Sequence, residues 1–349
     1  MKEGYRLLGD FIQPIDERNK ELKVDYLLGV SISKQFIPSI ANIVGTDLSN
    51  YKIVRTGQFA YGPVTSRNGE KISIALLRDS DCIISSSYTV FEVTDKDQLD
   101  PEYLMLWFSR PEFDRYARYK SHGSVREIFD WDELCKVELP VPSIEKQRSI
   151  VKAYNTITDR IELKRKINDN LEAVLAASHS KMFFSKDTSE HSKLGELMTF
   201  GNGKSRPKTD GPIPVYGGNG VLSYTDHHNI ENAVLIGRVG AYCGSVYLEQ
   251  GICWVSDNAI FAKSKITKDE FFDYFLLKRL NLFNHHVGTG QQLLTQEILN
   301  NIEVPKPVTE QIELFNRKAT SIFETIFTNS REIIRLQELS DLLLSRLAG

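Results

Sequence analysis

Several short arrangements in this sequence carry side chains that could do chemistry, and each lacks a part its chemistry requires. Gly203-Lys204-Ser205 has the ending of a phosphate-binding loop, but Met198 stands where that loop needs its first glycine. Without that glycine the backbone cannot wrap the phosphates. Glu21-Leu22-Lys23 and Glu162-Leu163-Lys164 are E-x-K fragments of the kind found in Mg2+-dependent nucleases. Such tripeptides are frequent by chance, and Glu162 falls inside a long helical pattern, so both read as solvated charges. His227-His228 and His285-His286 show no spacing suited to zinc, and neither do Cys82, Cys135, Cys243 and Cys253. No Asn/Asp-Pro-Pro-aromatic segment is present to hold a flipped adenine for methyl transfer. Catalytic machinery is not what this sequence is built around.

The elements that would position a site are plainer. Residues 139–151 read LPVPSIEKQRSIV. The two prolines force an extended lead-in, Ser143 is placed to cap a helix, and Glu145 puts an acid in its first turn. Apolar residues then recur at heptad spacing. Ile150, Ile157 and Leu171 share one seam position, and Tyr154, Ile161, Leu175 and Met182 the other. No proline or glycine follows until Gly195. A helix of about 40 residues, roughly 60 Å long, is predicted, and it is too long for the interior of one compact domain.

The pattern occurs twice. Residues 302–311 read IEVPKPVTEQ and open a second helical stretch. Its seams carry Phe315, Ile322, Leu336 and Leu343, then Ala319, Ile326, Ile333 and Leu347. Glu138, Pro140 and Pro142 precede Glu303, Pro305 and Pro307 by 165 positions each, as Gly123 does Gly288; Gln147 pairs with Gln311 after a one-residue slip. The chain therefore reads as one module used twice, a globular part followed by a proline lead-in and a long helix. Lys164, Asn168 and Asn329 fall on the seams. They are either splayed positions facing solvent or polar contacts that fix the helices' register, the latter being favoured.

Composition agrees. The 349 residues, 41% hydrophobic and 26% charged, suffice for two cores plus helices. A net charge of −3 excludes a strongly basic nucleic-acid tail and leaves only local patches for such contact. Four cysteines without a CxxC pair, and no signal peptide or transmembrane run, suggest reduced thiols in a cytoplasmic protein. Residues 22–93 look mainly β, with two short helices following over 101–119. Residues 191–300 repeat the theme with more glycine: a turn-rich segment at 212–220, strands at 233–236 and 245–248, and a helix over 270–280.

The proline lead-in and its second copy, Tyr216-Gly217-Gly218-Asn219-Gly220, Gly237-Arg238 and the WVSDN of 254–258 together resemble the specificity subunit of type I restriction–modification systems. The resemblance covers essentially the whole chain. It implies an α+β fold in which two similar target-recognition domains are separated by two long antiparallel helices, a coiled-coil-like spacer with a pseudo-twofold internal repeat. The boundaries follow as 1–140, 141–188, 189–305 and 306–349. It also implies a non-catalytic subunit whose domains each read half of a split double-stranded DNA target. Its partners would be methyltransferase subunits and translocase–endonuclease subunits, with no membrane. S-adenosylmethionine, ATP and Mg2+ would belong to those partners, none being bound by this chain. The implied docking helices carry Gln147, Ile150, Ile157, Ile161, Gln311, Phe315, Ile322 and Ile326.

For DNA contact the polar loops are the candidates: Arg67, Asn68, Ser124 and Arg126 in the first half, and Lys204, Arg206, Asn219, Arg238, Thr289, Gln291 and Gln292 in the second. Arg, Asn and Gln make bidentate base-edge contacts, whereas Lys and Ser more often touch phosphate. Tyr61, Tyr216 and Tyr242 read as packing residues rather than base stackers. A free-standing Mg2+-dependent nuclease, or a repeat scaffold that binds no DNA, are the competing readings.

Overall fold

The computed structural model describes residues 4–39, 45–66, 68–122, 127–184, 190–288 and 290–348. The chain divides into two units, Met1–Leu163 with Ile333–Gly349, and Lys164–Glu332.

In the first unit, short runs rich in β-branched and aromatic residues, bounded by turn residues, become strands. They are β1 (Tyr5–Leu7), β2 (Ile12–Ile15), β3 (Leu28–Val30), β4 (Phe36–Pro38), β5 (Lys52–Val54), β6 (Phe59–Tyr61), β7 (Ile74–Leu76), β8 (Cys82–Ile84), β9 (Thr89–Val93) and β10 (Glu138–Pro140). An antiparallel sheet runs β2-β9-β6-β7, and β1–β10, β3–β4 and β5–β8 are separate pairs. β6, β7 and β8 are buried at every residue. Covered on both faces, they show no hydrophobic alternation. Helix α1 (Pro101–Phe108) is capped by Asp100, which accepts from the N–H groups of Glu102 and Tyr103, and is buried from Tyr103 onward. Phe59 stacks on Phe91 with centroids 4.9 Å apart, and Phe108 meets both edge-on. Helices α2 (Pro111–Lys120) and α3 (Trp131–Cys135) complete the globular part.

In the second unit, β11 (His191–Lys193) and the short α5 (Leu194–Leu197) lead into β12 (Met198–Asn202), β13 (Ile213–Gly217), β14 (Gly220–Thr225), β15 (Ile230–Gly237), β16 (Val246–Val255) and β17 (Ala259–Ser264). Helices α6 (Phe271–Arg279) and α7 (Gln296–Asn301) and strand β18 (Glu303–Pro305) follow. The sheet order is β12-β17-β15-β16-β13-β14. Its first four strands repeat the β2-β9-β6-β7 order, and β11–β18 repeats β1–β10. The turn-rich segment proves to be the β13–β14 hairpin, turning through Gly218 and Asn219, with Gly220 at φ 80°. Residues 246–248 are only the start of a ten-residue strand, which Ser245 precedes. Gly203, which closes the incomplete phosphate-loop pattern, directly follows the last residue of β12. A Cβ there would lie 1.9 Å from the Ser256 carbonyl oxygen, so glycine is needed for packing.

The long helices are α4 (Ile144–Phe183), 40 residues, and α8 (Thr309–Ser345), 37 residues. Ser143 caps α4, its Oγ accepting from the Lys146 N–H at 3.4 Å. Within the second unit the two run antiparallel. At one end Lys164 donates to Asn329 Oδ1 at 2.9 Å and pairs with Glu332 at 2.8 Å; at the other, Phe183 packs on Phe315. Within the first unit, Leu344 and Leu347 join the core against which Ile150, Val151 and Tyr154 also pack. The polar seam residues do not splay into solvent: Asn329 donates to Asn168, and Asn168 reaches Ser330 at 3.4 Å.

Candidate nucleic-acid interface

In the second unit, five loops close on one end of the sheet. The Lys204 N–H donates to the Val255 carbonyl at 2.9 Å, fixing the end of β12 beside the turn at 256–258. The Arg238 N–H donates to the Asn258 carbonyl at 3.0 Å, and the Leu294 N–H donates back to the Arg238 carbonyl at 2.9 Å. The Gly240 N–H donates to the Gln292 carbonyl at 3.0 Å. Gly237 permits this convergence: a Cβ there would lie 2.1 Å from the Tyr242 carbonyl oxygen and 2.9 Å from that of Gly218. Lys204, Asn219, Arg238 and Gln292 are thereby assembled. Lys204 and Asn219 are exposed, Arg238 and Gln292 partly so. Among the described residues the buried Arg238 Nε has no hydrogen-bond partner. Arg206 and Gln291 are exposed. Thr289 lies outside the described residues.

The first unit builds the same constellation with different side chains. The Phe129 N–H donates to the Pro63 carbonyl at 2.8 Å, as Leu294 does to Arg238. Val64 and His122 both bridge Ile128, as Val239 and Val287 both bridge Leu293. Thr65 ties the loop down further, its hydroxyl donating to Ser121 Oγ at 2.9 Å and its N–H to the Glu127 carbonyl at 3.0 Å. Asn68 is half-buried, its Nδ2 3.5 Å from the Val64 carbonyl oxygen. Arg67, Ser124 and Arg126 lie outside the described residues. Pro63 thus occupies the place of Arg238. The two sites share a frame and differ in chemistry.

A family model described as the type I restriction modification DNA specificity domain matches residues 48–173 and again 186–342. The chain belongs to that family. It is 21% identical over 305 residues to the type I restriction enzyme MjaIX specificity subunit of Methanocaldococcus jannaschii, covering 73% of this chain and 70% of that one. The S subunit of a type I restriction–modification system from M. genitalium shares its fold, with TM-score 0.64, 16% identity and coverage of 99% of this chain and 96% of that one. A chain from a study of assembly and conformational transition in a type I system has TM-score 0.50 at 17% identity, over 99% and 98%.

As a type I specificity subunit, the chain has a recognition role rather than a catalytic one. The fragments a nuclease reading relied on are otherwise engaged. Glu21 and Lys23 pair with each other at the surface, and Lys164 is held by Asn329 and Glu332. No group of three His, Cys, Asp or Glu among the described residues could hold a metal, and no described helix is long and apolar enough to cross a membrane. Burial pushes the Cys82 and Cys253 thiols up to about 12, far from reactive.

The helix residues expected to dock partners mostly face inward. Gln147 and Phe315 are fully buried, Ile161 nearly so, and Ile150, Ile157, Ile322 and Ile326 are half-buried. Gln311 is exposed. Gln147 instead clamps its own domain: Oε1 accepts from the Asp100 N–H at 2.9 Å, and Nε2 donates to the Gln98 and Pro142 carbonyls. In the second unit that work falls to buried Asn316, not Gln311. It accepts from the Phe272 N–H at 2.9 Å and donates to Thr267 and Asp269. The apolar side chains that do face solvent are Leu163, Ile167 and Val174 on α4, and Leu314, Ile334, Leu339 and Leu342 on α8. The seam search passed over them because they lie off the heptad stripe.

Two of the three tyrosines pack as expected. Tyr61 is fully buried, and half-buried Tyr216 donates to Glu249 at 2.9 Å. Tyr242 departs from that reading: it is about half exposed, next to the hairpin turn. Tyr119, in the last turn of α2, is 80% exposed with the Lys120 ammonium 6.0 Å from its ring centroid, and no sequence pattern singled it out.

Proposed function

We propose that this chain reads a bipartite double-stranded DNA sequence within a type I restriction–modification complex. Residues 1–140 and 189–305 each take one half-site. The helical segments 141–188 and 306–349 set the unread gap and dock the methyltransferase subunits through their solvent-facing apolar residues. S-adenosylmethionine serves the methyltransferase partners, and ATP and Mg2+ serve translocase–endonuclease partners; this chain binds none of them and works in the cytoplasm. The observation that carries the reading is the duplicated loop frame, Pro63-Val64 on Ile128 and Arg238-Val239 on Leu293, with unlike side chains mounted on it. A common frame with different donors is what two different half-sites require.

The test is an exchange. Replacing residues 1–140 by the matching region of a related subunit, then mapping methylated sites in a host genome, should change one half of the recognised sequence and leave the other intact. A simultaneous change in both halves would refute the division of labour. Arg238→Ala should relax preference at a single position by about 1–3 kcal/mol. Weakening that is uniform across all sequences would assign Arg238 to phosphate contact.

A further inference from the structure

The first unit holds a pocket whose lining includes none of Pro63, Val64 and Ile128. It is a cavity of about 500 Å³ between the end of α1, one face of α2 and the start of β10. Arg110 and Trp107 line it, and they are only 5% and 6% exposed. The guanidinium stacks on the indole, its central carbon 4.2 Å from the ring centroid. Among the described residues neither the Arg110 Nε–H nor the Trp107 Nε1–H has a hydrogen-bond partner. Among them, too, the one ion pair of the guanidinium is long, 3.5 Å to Glu112, and Glu112 is shared with Arg115 at 3.0 Å. Buried donors are ordinarily satisfied, and a buried cation ordinarily has a close anion.

We infer that this pocket binds a carboxylate carried on an apolar, aromatic-sized body. Two unpaired N–H groups on stacked side chains, one of them cationic, call for an acceptor that is also an anion. A carboxylate offers two oxygens and a full charge, which would strengthen the compensation that the long Glu112 contact gives the guanidinium, whereas a neutral carbonyl would not. The lining carries three cations, Arg110, Lys120 and Lys136, against the two carboxylates of Glu112 and Glu138, and both lysines also pair with Glu133. The cavity is far larger than a carboxylate alone, and Phe113 and Tyr116 present apolar wall for the rest of the molecule. Free aromatic acids and the C-terminal carboxylate of a peptide share this chemistry.

Calorimetric titration of the full chain at fixed ionic strength tests it, with acetate, benzoate, N-acetylphenylalanine and the amide of N-acetylphenylalanine as probes. The two aromatic acids should bind saturably at one per chain, with the amide and acetate at least about ten-fold weaker. Trp107→Phe keeps the ring and removes the donor, and should weaken binding about ten-fold. Arg110→Gln should abolish it; should that variant not fold, Trp107→Phe and Lys120→Ala carry the test. Tighter benzoate would identify a free acid as the source, and tighter N-acetylphenylalanine a peptide terminus. No saturable binding by either acid, equal binding of acid and amide, or an unaffected Trp107→Phe would each overturn the assignment.

Discussion

The side-chain amide of Asn329 donates to that of Asn168 at 2.9 Å, joining α8 to α4 at a level where both seams should be apolar. Lys164 adds a second donor to Asn329 and an ion pair to Glu332. Such a contact trades stability for register. Asn329→Leu alone should destabilise by about 1–3 kcal/mol, because it strands Asn168 and Lys164. Asn168→Leu with Asn329→Leu should recover much of that loss, giving a coupling of about 1 kcal/mol in a double-mutant cycle followed by denaturant unfolding. Additive effects would show that the amides do not act as a pair.

The buried amides Gln147 and Asn316 each satisfy groups at the start of a domain helix. Gln147→Ala strands the Asp100 N–H and two carbonyls, and a loss of about 2–4 kcal/mol is expected in urea unfolding. Asn316→Ala should do the same to the second domain. Gln311→Ala, at an exposed position, should stay within about 0.5 kcal/mol of the parent.

Asp273 is 1% exposed, and burial, with Glu270 nearby, holds it well above the usual carboxylate range. The folded chain therefore keeps a proton that the unfolded chain releases near pH 4. Stability linked to this group is fully present below that pH and drains away as pH rises toward the folded value. Asp273→Asn removes the penalty. It should melt above the parent at pH 8, by an amount on the order of 2 kcal/mol, and the gain should shrink toward pH 4. A gain independent of pH would mean that packing, not ionisation, is responsible.

One heptad inserted after Leu163 and another after Glu332 keeps the seam phase. Each helix lengthens by about 10 Å, equivalent to about three base pairs. The half-sites should be unchanged and the preferred gap about three base pairs longer, read out as genomic methylation, with some affinity lost to groove rotation. A preferred gap that stayed put would remove the helices from the measurement.

Helices and lead-ins were legible because their signals are local. Ser143, the prolines and an unbroken heptad pattern placed α4, and 165-residue spacing placed β10 against β18. The rest of the repeat was hidden because the spacing drifts. Pro63 and Arg238 are 175 apart, and Leu8-Gly9 and Leu194-Gly195 are 186 apart, so no single offset aligns the halves. Gln147 was paired with Gln311 by a one-residue slip from that spacing, while the packing uses Asn316, five residues further along. The β13–β14 hairpin escaped as strands because it lies at the sheet edge, where Val221, Leu222 and Tyr224 all stay exposed and alternation is lost. Tyr242 was misjudged for a related reason: ring type says nothing about which face of a loop meets solvent.

Tyr5 pairs with Pro140, and His191 with Pro305, so each globular part leaves the chain at the point where it joined it. A segment whose two ends meet in a short ladder behaves as a cassette. The entropy of closing its loop is borne inside the segment and not by the helices that flank it. Exchange of one cassette at the two proline lead-ins should therefore still yield a folded product. Circular permutants opened within a lead-in should fold for the same reason. New DNA specificities would then arise by shuffling whole segments, faster than substitution of single loop residues could supply them.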